Sequence, residues 1–189
     1  MATWIFQANP DVFDIDGYLA VSTGDFRFLV TRYKNELAVG DTVYIWRSIG
    51  KKGDSDRAGI VAEAIVLGPV EHVPDDPESI PFWKDPTEAA QPADRVILRL
   101  VRLANRKEVL RREWLKDDSI LSHLSIFKFT SGTNFPVDEK QAARLSQLWA
   151  NTGKDWTERE IVAALKLYSE IWDQPIARNM GSPVERLSQ

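Results

Sequence analysis

The chain reads as α+β, built on a small curled sheet rather than a doubly wound one. Three observations predict this. Apolar stretches of strand length crowd the first two-thirds of the sequence. Clear helical stripes appear only after Asp138, so strands and helices are segregated rather than alternating. The chain is 189 residues long and 43% apolar, enough for one substantial core with something appended.

Thr3–Gln7 (TWIFQ) is β-rich and is stopped by Asn9-Pro10. Phe26–Tyr33 (FRFLVTRY) is aromatic and β-branched, which predicts a second strand. A turn over Glu36–Asp41 feeds a third, Thr42–Trp46 (TVYIW). Ser48–Arg57 is a Gly, Lys and Asp loop. Ala58–Leu67 is a long apolar strand closed by Gly68-Pro69, and Arg95–Leu103 alternates apolar and basic residues. Between these two lies Pro74–Pro92, a proline-rich acidic excursion with Phe82-Trp83 in its middle. So long a connection is functional or mobile, or else is merely pinned to the core by that aromatic pair. A helix begins at Asp138, where Gln141 completes a reciprocal cap, and ends at Asn151-Thr152-Gly153. A second helix is expected from Thr157 to Pro175, with Ile161, Ala164, Leu165, Tyr168 and Trp172 on one face, and Ser182–Gln189 reads as the start of another. The domain boundary is expected at Asn151–Asp155, giving 1–150 and 154–189.

Composition removes several chemistries. There is no cysteine, which excludes disulfides, thiolate metal sites and a cysteine nucleophile. The two histidines, His72 and His123, form no ligand pattern, so no metal or other cofactor is expected. Phosphate-loop, nucleophile-elbow and zinc-protease motifs are missing, and no catalytic constellation stands out. The net charge of −4 means that nucleic-acid binding would have to come from a local patch. No apolar run reaches membrane length and no signal-peptide pattern opens the chain, so no membrane partner and a cytoplasmic location are expected.

Seven tryptophans are an excess for this length. Trp149 and Trp172 fall on helical stripes and read as packing. Trp46 ends a strand beside Arg47, Ser48 and a Gly/Lys loop, where an indole could form one wall of a base-binding pocket or simply pack. Phe26 and Phe28 share one face of their strand by period-two alternation. They could supply a second wall or lie in the core. Two basic groups are candidates for phosphate contacts: Arg47, Lys51, Lys52 and Arg57, and the run Arg95, Arg99, Arg102, Arg106, Lys107, Arg111 and Arg112. The second reads either as a solvated face or as a phosphate-tracking stripe.

The segments WIFQANP at 4–10, GDTVYIWRS at 40–48, AGI at 58–60, the strand ending Gly68-Pro69, PFW at 81–83 and GTNFP at 132–136 occur in an order that resembles the EVE domain, a PUA-like family related to the YTH readers of methylated adenine. The resemblance covers about residues 1–150. It implies a small curled PUA-like barrel with flanking helices. It also implies a reader of a modified base, flipped out of nucleic acid into an aromatic pocket. By position it implies Trp46 as stacking wall, Phe26 or Phe28 as another aromatic, Asn9 on a base edge and Ser48 at the mouth, with Trp83 as an alternative second wall. Double-stranded DNA carrying 5-methylcytosine or 5-hydroxymethylcytosine is the implied partner, with modified RNA as the alternative. The stretch Asp155–Ile161 running on to Tyr168 is similar to the helical segment that precedes HNH nuclease domains in modification-dependent restriction endonucleases. It implies that 154–189 begins a linker to a nuclease lying outside these residues. This chain would then cut nothing itself, and a homodimer is an expectation for a full-length enzyme of that kind.

Overall fold

The computed structural model describes residues 1–22, 24–51, 53, 55–129, 132–153 and 166. Its strands are β1 (Thr3–Ala8), β2 (Asp25–Leu29), β3 (Thr42–Arg47), β4 (Gly59–Val66), β5 (Glu71–Val73), β6 (Ala93–Leu103), β7 (Leu110–Arg111) and β8 (Asn134–Val137). The α-helices are α1 (Ile15–Val21), α2 (Pro86–Ala90), α3 (Arg112–Asp117) and α4 (Glu139–Asn151). The main sheet runs β2-β6-β4-β3-β1-β8, with β5 added beside β6 and β7 beside β4. Among the described strands only β1 and β3 pair in parallel, Ile5 opposite Tyr44 and Gln7 opposite Trp46. Residues Met1–Thr152 form one compact unit and Gly153–Gln189 another.

The sheet curls into a half-barrel. Phe6 of β1 and Phe28 of β2 belong to strands with three others between them, yet their rings meet at 5.3 Å. The concave face is therefore closed on itself. Trp4, Phe6, Phe26, Val43, Ile45, Val96 and Leu98 fill it, with Ile15, Tyr18 and Leu19 of α1 across one end. The opposite face is buried as well. Ile5, Tyr44, Trp46 and Ile60 project there and are covered by Leu115 of α3, Leu121, Leu124, and Leu145 and Trp149 of α4. Each large apolar side chain so buried stabilises the fold by about 1.5–3 kcal/mol. Burial on both faces is why TVYIW carries no polar alternation.

The segment that follows β2 meets β8 through side chains rather than a strand ladder. Asn134 is fully buried. Its Oδ1 accepts from the backbone N–H groups of Thr31 at 3.1 Å and Arg32 at 3.0 Å, and its Nδ2 donates to the Arg32 carbonyl. The Thr31 and Thr133 hydroxyls meet beside it at 3.1 Å.

The five strands expected first along the chain are present, with ends moved by a few residues. The strand expected over Phe26–Tyr33 stops at Leu29. Beyond it the backbone turns toward Asn134, and Tyr33 takes a left-handed φ of 55°. Helix α1 escapes the sequence pattern because it is only seven residues long and carries Gly17; Asp14 caps it by accepting from the Gly17 N–H at 3.1 Å. The acidic excursion is folded into a 3₁₀ turn over Pro77–Phe82 followed by α2. Helix α4 starts with the expected reciprocal cap between Asp138 and Gln141. Apart from Lys166, the helices expected from Thr157 and Ser182 lie outside the described residues.

Candidate functional site

β8 pairs with β1 only as far as Phe6. One more backbone hydrogen bond joins the Gln7 N–H to the Thr133 carbonyl at 2.6 Å, and beyond it a cleft is left between the end of β1 and β2. A cavity of about 280 Å³ opens at this seam. Its walls come from Gln7, Ala8 and Asn9 on one side and Arg27, Phe28 and Leu29 on the other. Val12, Phe13, Asp75, Trp83, Gly132 and Thr133 complete it. The volume lies near the lower end of the ~300–1,000 Å³ typical of small-ligand pockets, which suits one planar ring rather than a longer ligand.

The aromatic wall is built by the acidic excursion. Phe13 and Trp83 form an isolated antiparallel bridge, and their rings lie 5.3 Å apart. The Trp83 indole N–H donates to Asp75 Oδ2 at 2.9 Å. Beneath it Arg95, only 2% exposed, sets its guanidinium 6.0 Å from the Trp83 ring and its Nε 3.5 Å from Asp75 Oδ1. Arg27 pairs with Asp76 through both its side chain and its backbone N–H. Tyr18 supports the wall from below, edge-on to Phe13 and Phe82. Burial first, and the Asp76 and Asp75 charges second, push its phenol up to about 12, so it stays neutral.

Of the residues singled out from sequence, the structure brings Asn9, Phe28 and Trp83 together on this pocket. Asn9 is exposed at its rim, its Oδ1 accepting from the Asp11 N–H at 3.0 Å. Ser48 stands one step back and accepts from Gln7 Nε2 at 2.8 Å, which holds the Gln7 amide. Phe26 does not reach the pocket. It shares the concave face with Phe28 but is 1% exposed and packs edge-on to Tyr18.

Trp46 requires a correction. It is 3% exposed and projects from the opposite face of the sheet, edge-on to Phe127 at 5.6 Å. Period two decides this: Val43 and Ile45 take the concave face, so Tyr44 and Trp46 take the other. The indole is sealed in the outer core and is not a stacking wall. Arg47 also departs from its expected phosphate role. It is 6% exposed, and its Nε donates to Asp16 Oδ2 at 2.7 Å. Arg57 reaches the same carboxylate at 3.4 Å. Lys51 is exposed on a loop tied to Asp11, and Lys52 lies outside the described residues. The basic run from Arg95 to Arg112 is not one stripe. Arg95 is buried, Arg99 forms a two-bond pair with Asp25, and Arg102 caps the end of α4 through the carbonyls of Trp149 and Thr152.

Sequence reasoning missed Phe13, Arg27 and Asp75. The available signal was the acidic excursion itself, which holds Asp75 and Trp83. Among the described residues no group of three His, Asp or Glu side chains could hold a metal, and no helix is long and apolar enough to cross a membrane.

A curled mixed sheet of this order, covered by helices on its convex face and open at one seam, defines a PUA-like domain. The family model for the EVE domain matches residues 2–148, and the chain belongs to that family. No curated protein is matched. Among solved structures, a hypothetical protein from Leishmania major superposes with a TM-score of 0.57 at 20% identity, covering 79% of this chain and 95% of the other. Human THYN1, in a complex with DNA containing 5-methylcytosine, superposes with a TM-score of 0.56 at 15% identity over 82% of this chain and 100% of its own. A protein from Pseudomonas syringae reaches 0.53 at 26% identity over 78% and 99%. At 20% and 15% identity the first two are similar in fold alone. The segment similar to HNH linkers lies beyond the matched span and, apart from Lys166, outside the described residues.

Proposed function

We propose that this EVE domain reads modified cytosine in double-stranded DNA by taking a flipped base into the seam pocket. The observation that carries the reading is the pocket itself: base-sized, walled by Phe28, Phe13 and Trp83, with a carboxylate and a guanidinium among the rings. The DNA complex of THYN1, a protein of similar fold, supports the choice of ligand. Flipping costs a few kcal/mol of unstacking, and aromatic stacking returns roughly 1–3 kcal/mol per base. A 5-methyl group buried against the rings adds about 0.8 kcal/mol, close to fourfold in affinity. Phosphate contacts supply the rest without reading sequence. Lys84 follows Trp83, Arg32 packs on Gly132, and Lys51 sits beside Asp11, so exposed cations border the mouth.

The test compares matched duplexes carrying cytosine, 5-methylcytosine or 5-hydroxymethylcytosine at two salt concentrations. Tighter binding of the modified duplexes, weakening steeply as salt rises, is expected. Trp83→Ala should lose roughly 5- to 100-fold in affinity. Trp46→Ala should lower stability by about 3–5 kcal/mol, while the protein that remains folded keeps its preference. Equal affinity for the three duplexes overturns the reading. Stronger binding to the same base in RNA replaces it with an RNA reader.

The finer part of the proposal is that the domain serves as the specificity module of a modification-dependent restriction endonuclease, acting in the cytoplasm on invading DNA. It rests on the similarity of Asp155–Tyr168 to the segment that precedes HNH domains. The 189-residue chain is expected to leave modified duplex uncut in Mg²⁺; cleavage by it would contradict this assignment.

A further inference from the structure

The seam pocket has a second task that stacking cannot perform. 5-Methylcytosine and thymine carry the same methyl group on the same flat ring. They differ only at position 4, amino against keto, and at N3, an acceptor against an N–H donor. Rings and a methyl contact bind both alike. A thymine opposite guanine, the product of deaminating 5-methylcytosine, is also easier to flip than a paired base. A reader without a polar contact at position 4 would therefore favour the wrong base.

We infer that Asp75 is the residue that separates 5-methylcytosine from thymine, by accepting a hydrogen bond from the exocyclic 4-amino group. This rests on the base-reading function proposed above. An ionised carboxylate is acceptor only, so it suits an amino group and repels a keto oxygen. Asp75 lines the pocket, yet its side chain is only 6% exposed and is held from three directions. Oδ2 accepts from the Trp83 indole, Oδ1 accepts from the Asp76 N–H at 2.9 Å, and Arg95 stands behind at 3.5 Å. Arg95 Nε is buried with no hydrogen-bond partner of its own and faces Asp75, while Nη1 donates to the Val73 carbonyl at 3.3 Å. Each carboxylate oxygen has two lone pairs, and Oδ2 gives one to Trp83. The carboxylate is thus fixed to the stacking ring it serves. Arg27 lines the same pocket and is anchored by the neighbouring Asp76, with further N–H groups available for O2 and N3. One acceptor beside several donors is the complement of a cytosine edge. Against thymine the contacts at position 4 and at N3 change sign, and only the one at O2 is kept.

The experiment uses three duplexes with identical flanks, carrying 5-methylcytosine, thymine or 5-methyl-2-pyrimidinone opposite guanine. Wild type should bind the 5-methylcytosine duplex roughly 10- to 100-fold tighter than either of the others. Asp75→Asn keeps an acceptor oxygen for the Trp83 indole and can turn an amide N–H toward O4. It should narrow the 5-methylcytosine-to-thymine ratio to within about threefold, mainly by gaining thymine, while still preferring 5-methylcytosine to cytosine. A folded Asp75→Asn protein with an unchanged ratio overturns the inference. So does wild type that binds the thymine or pyrimidinone duplex as well as the 5-methylcytosine duplex, a comparison that needs no variant. Failure of the base-reading function shows differently, as equal binding of cytosine and 5-methylcytosine together with indifference to Trp83→Ala.

Discussion

Asp41 shows how one side chain ties a turn to the first strand. It is 2% exposed and accepts three hydrogen bonds, from Ala2 N at 2.7 Å, Trp4 Nε1 at 3.0 Å and Ala38 N at 3.1 Å. Burial pushes its carboxyl up, but the donors from Trp4, Ala2 and Ala38 together prevail and hold it below the ordinary value of 3.8. The unfolded chain therefore takes up this proton first as the pH falls. The stabilisation is fully present above the ordinary carboxylate range and is lost as the pH drops through the lowered folded value. Urea midpoints from pH 7 down to pH 3 should show a weaker acid loss in Asp41→Asn, which should also start about 1–3 kcal/mol less stable at pH 7. An identical acid limb in the two proteins would contradict this. The same scale sets what a sequence reader could see. Trp46 and Trp83 are both tryptophans beside polar or charged residues. Alternation groups Trp46 with Tyr44, but it cannot say which face is concave when both faces are apolar. That choice is made by which strands curl inward and where α3 and α4 lie.

Among the elements, strands were the readable part. β1, β3, β4 and β6 announce themselves by β-branched and aromatic runs, and α4 by its cap. Short elements without periodicity, α1, β5 and β7, did not. β8 is four residues long with a proline in it, and the sequence shows only its Gly-Thr-Asn-Phe-Pro frame. Its central residue in structural terms is Asn134, whose amide stands in for a strand ladder where the segment after β2 meets β8. Asn134→Ala would strand two backbone N–H groups and a carbonyl at a buried position. A loss of about 2–4 kcal/mol is expected, read from chemical denaturation. Because Thr133 lines the pocket, the affinity for modified duplex should fall with it, and hydrogen exchange at Thr31 and Arg32 should speed up. A variant with wild-type stability would show that the clasp is dispensable.

At the scale of the molecule, both buried clusters, among the described residues, lie within Met1–Thr152. Arg102 fixes the far end of that unit, its guanidinium bonding to the Trp149 carbonyl at 2.6 Å and to Thr152, and lying 4.6 Å from the Trp149 ring. A protein ending at Thr152 should therefore unfold in a single cooperative transition and retain binding of modified duplex. Non-coincident transitions by fluorescence and circular dichroism would argue otherwise. One further consequence belongs to the outer rim of β2. An exposed strand edge normally invites a foreign strand to zip alongside it, the first step of aggregation. Here the Arg27 N–H that would begin such pairing is already given to Asp76, at 2.9 Å. A carboxylate has no proton to pass onward, so an incoming chain finds its first rung missing, and the cleft beside it stays shut to the chain's own kind.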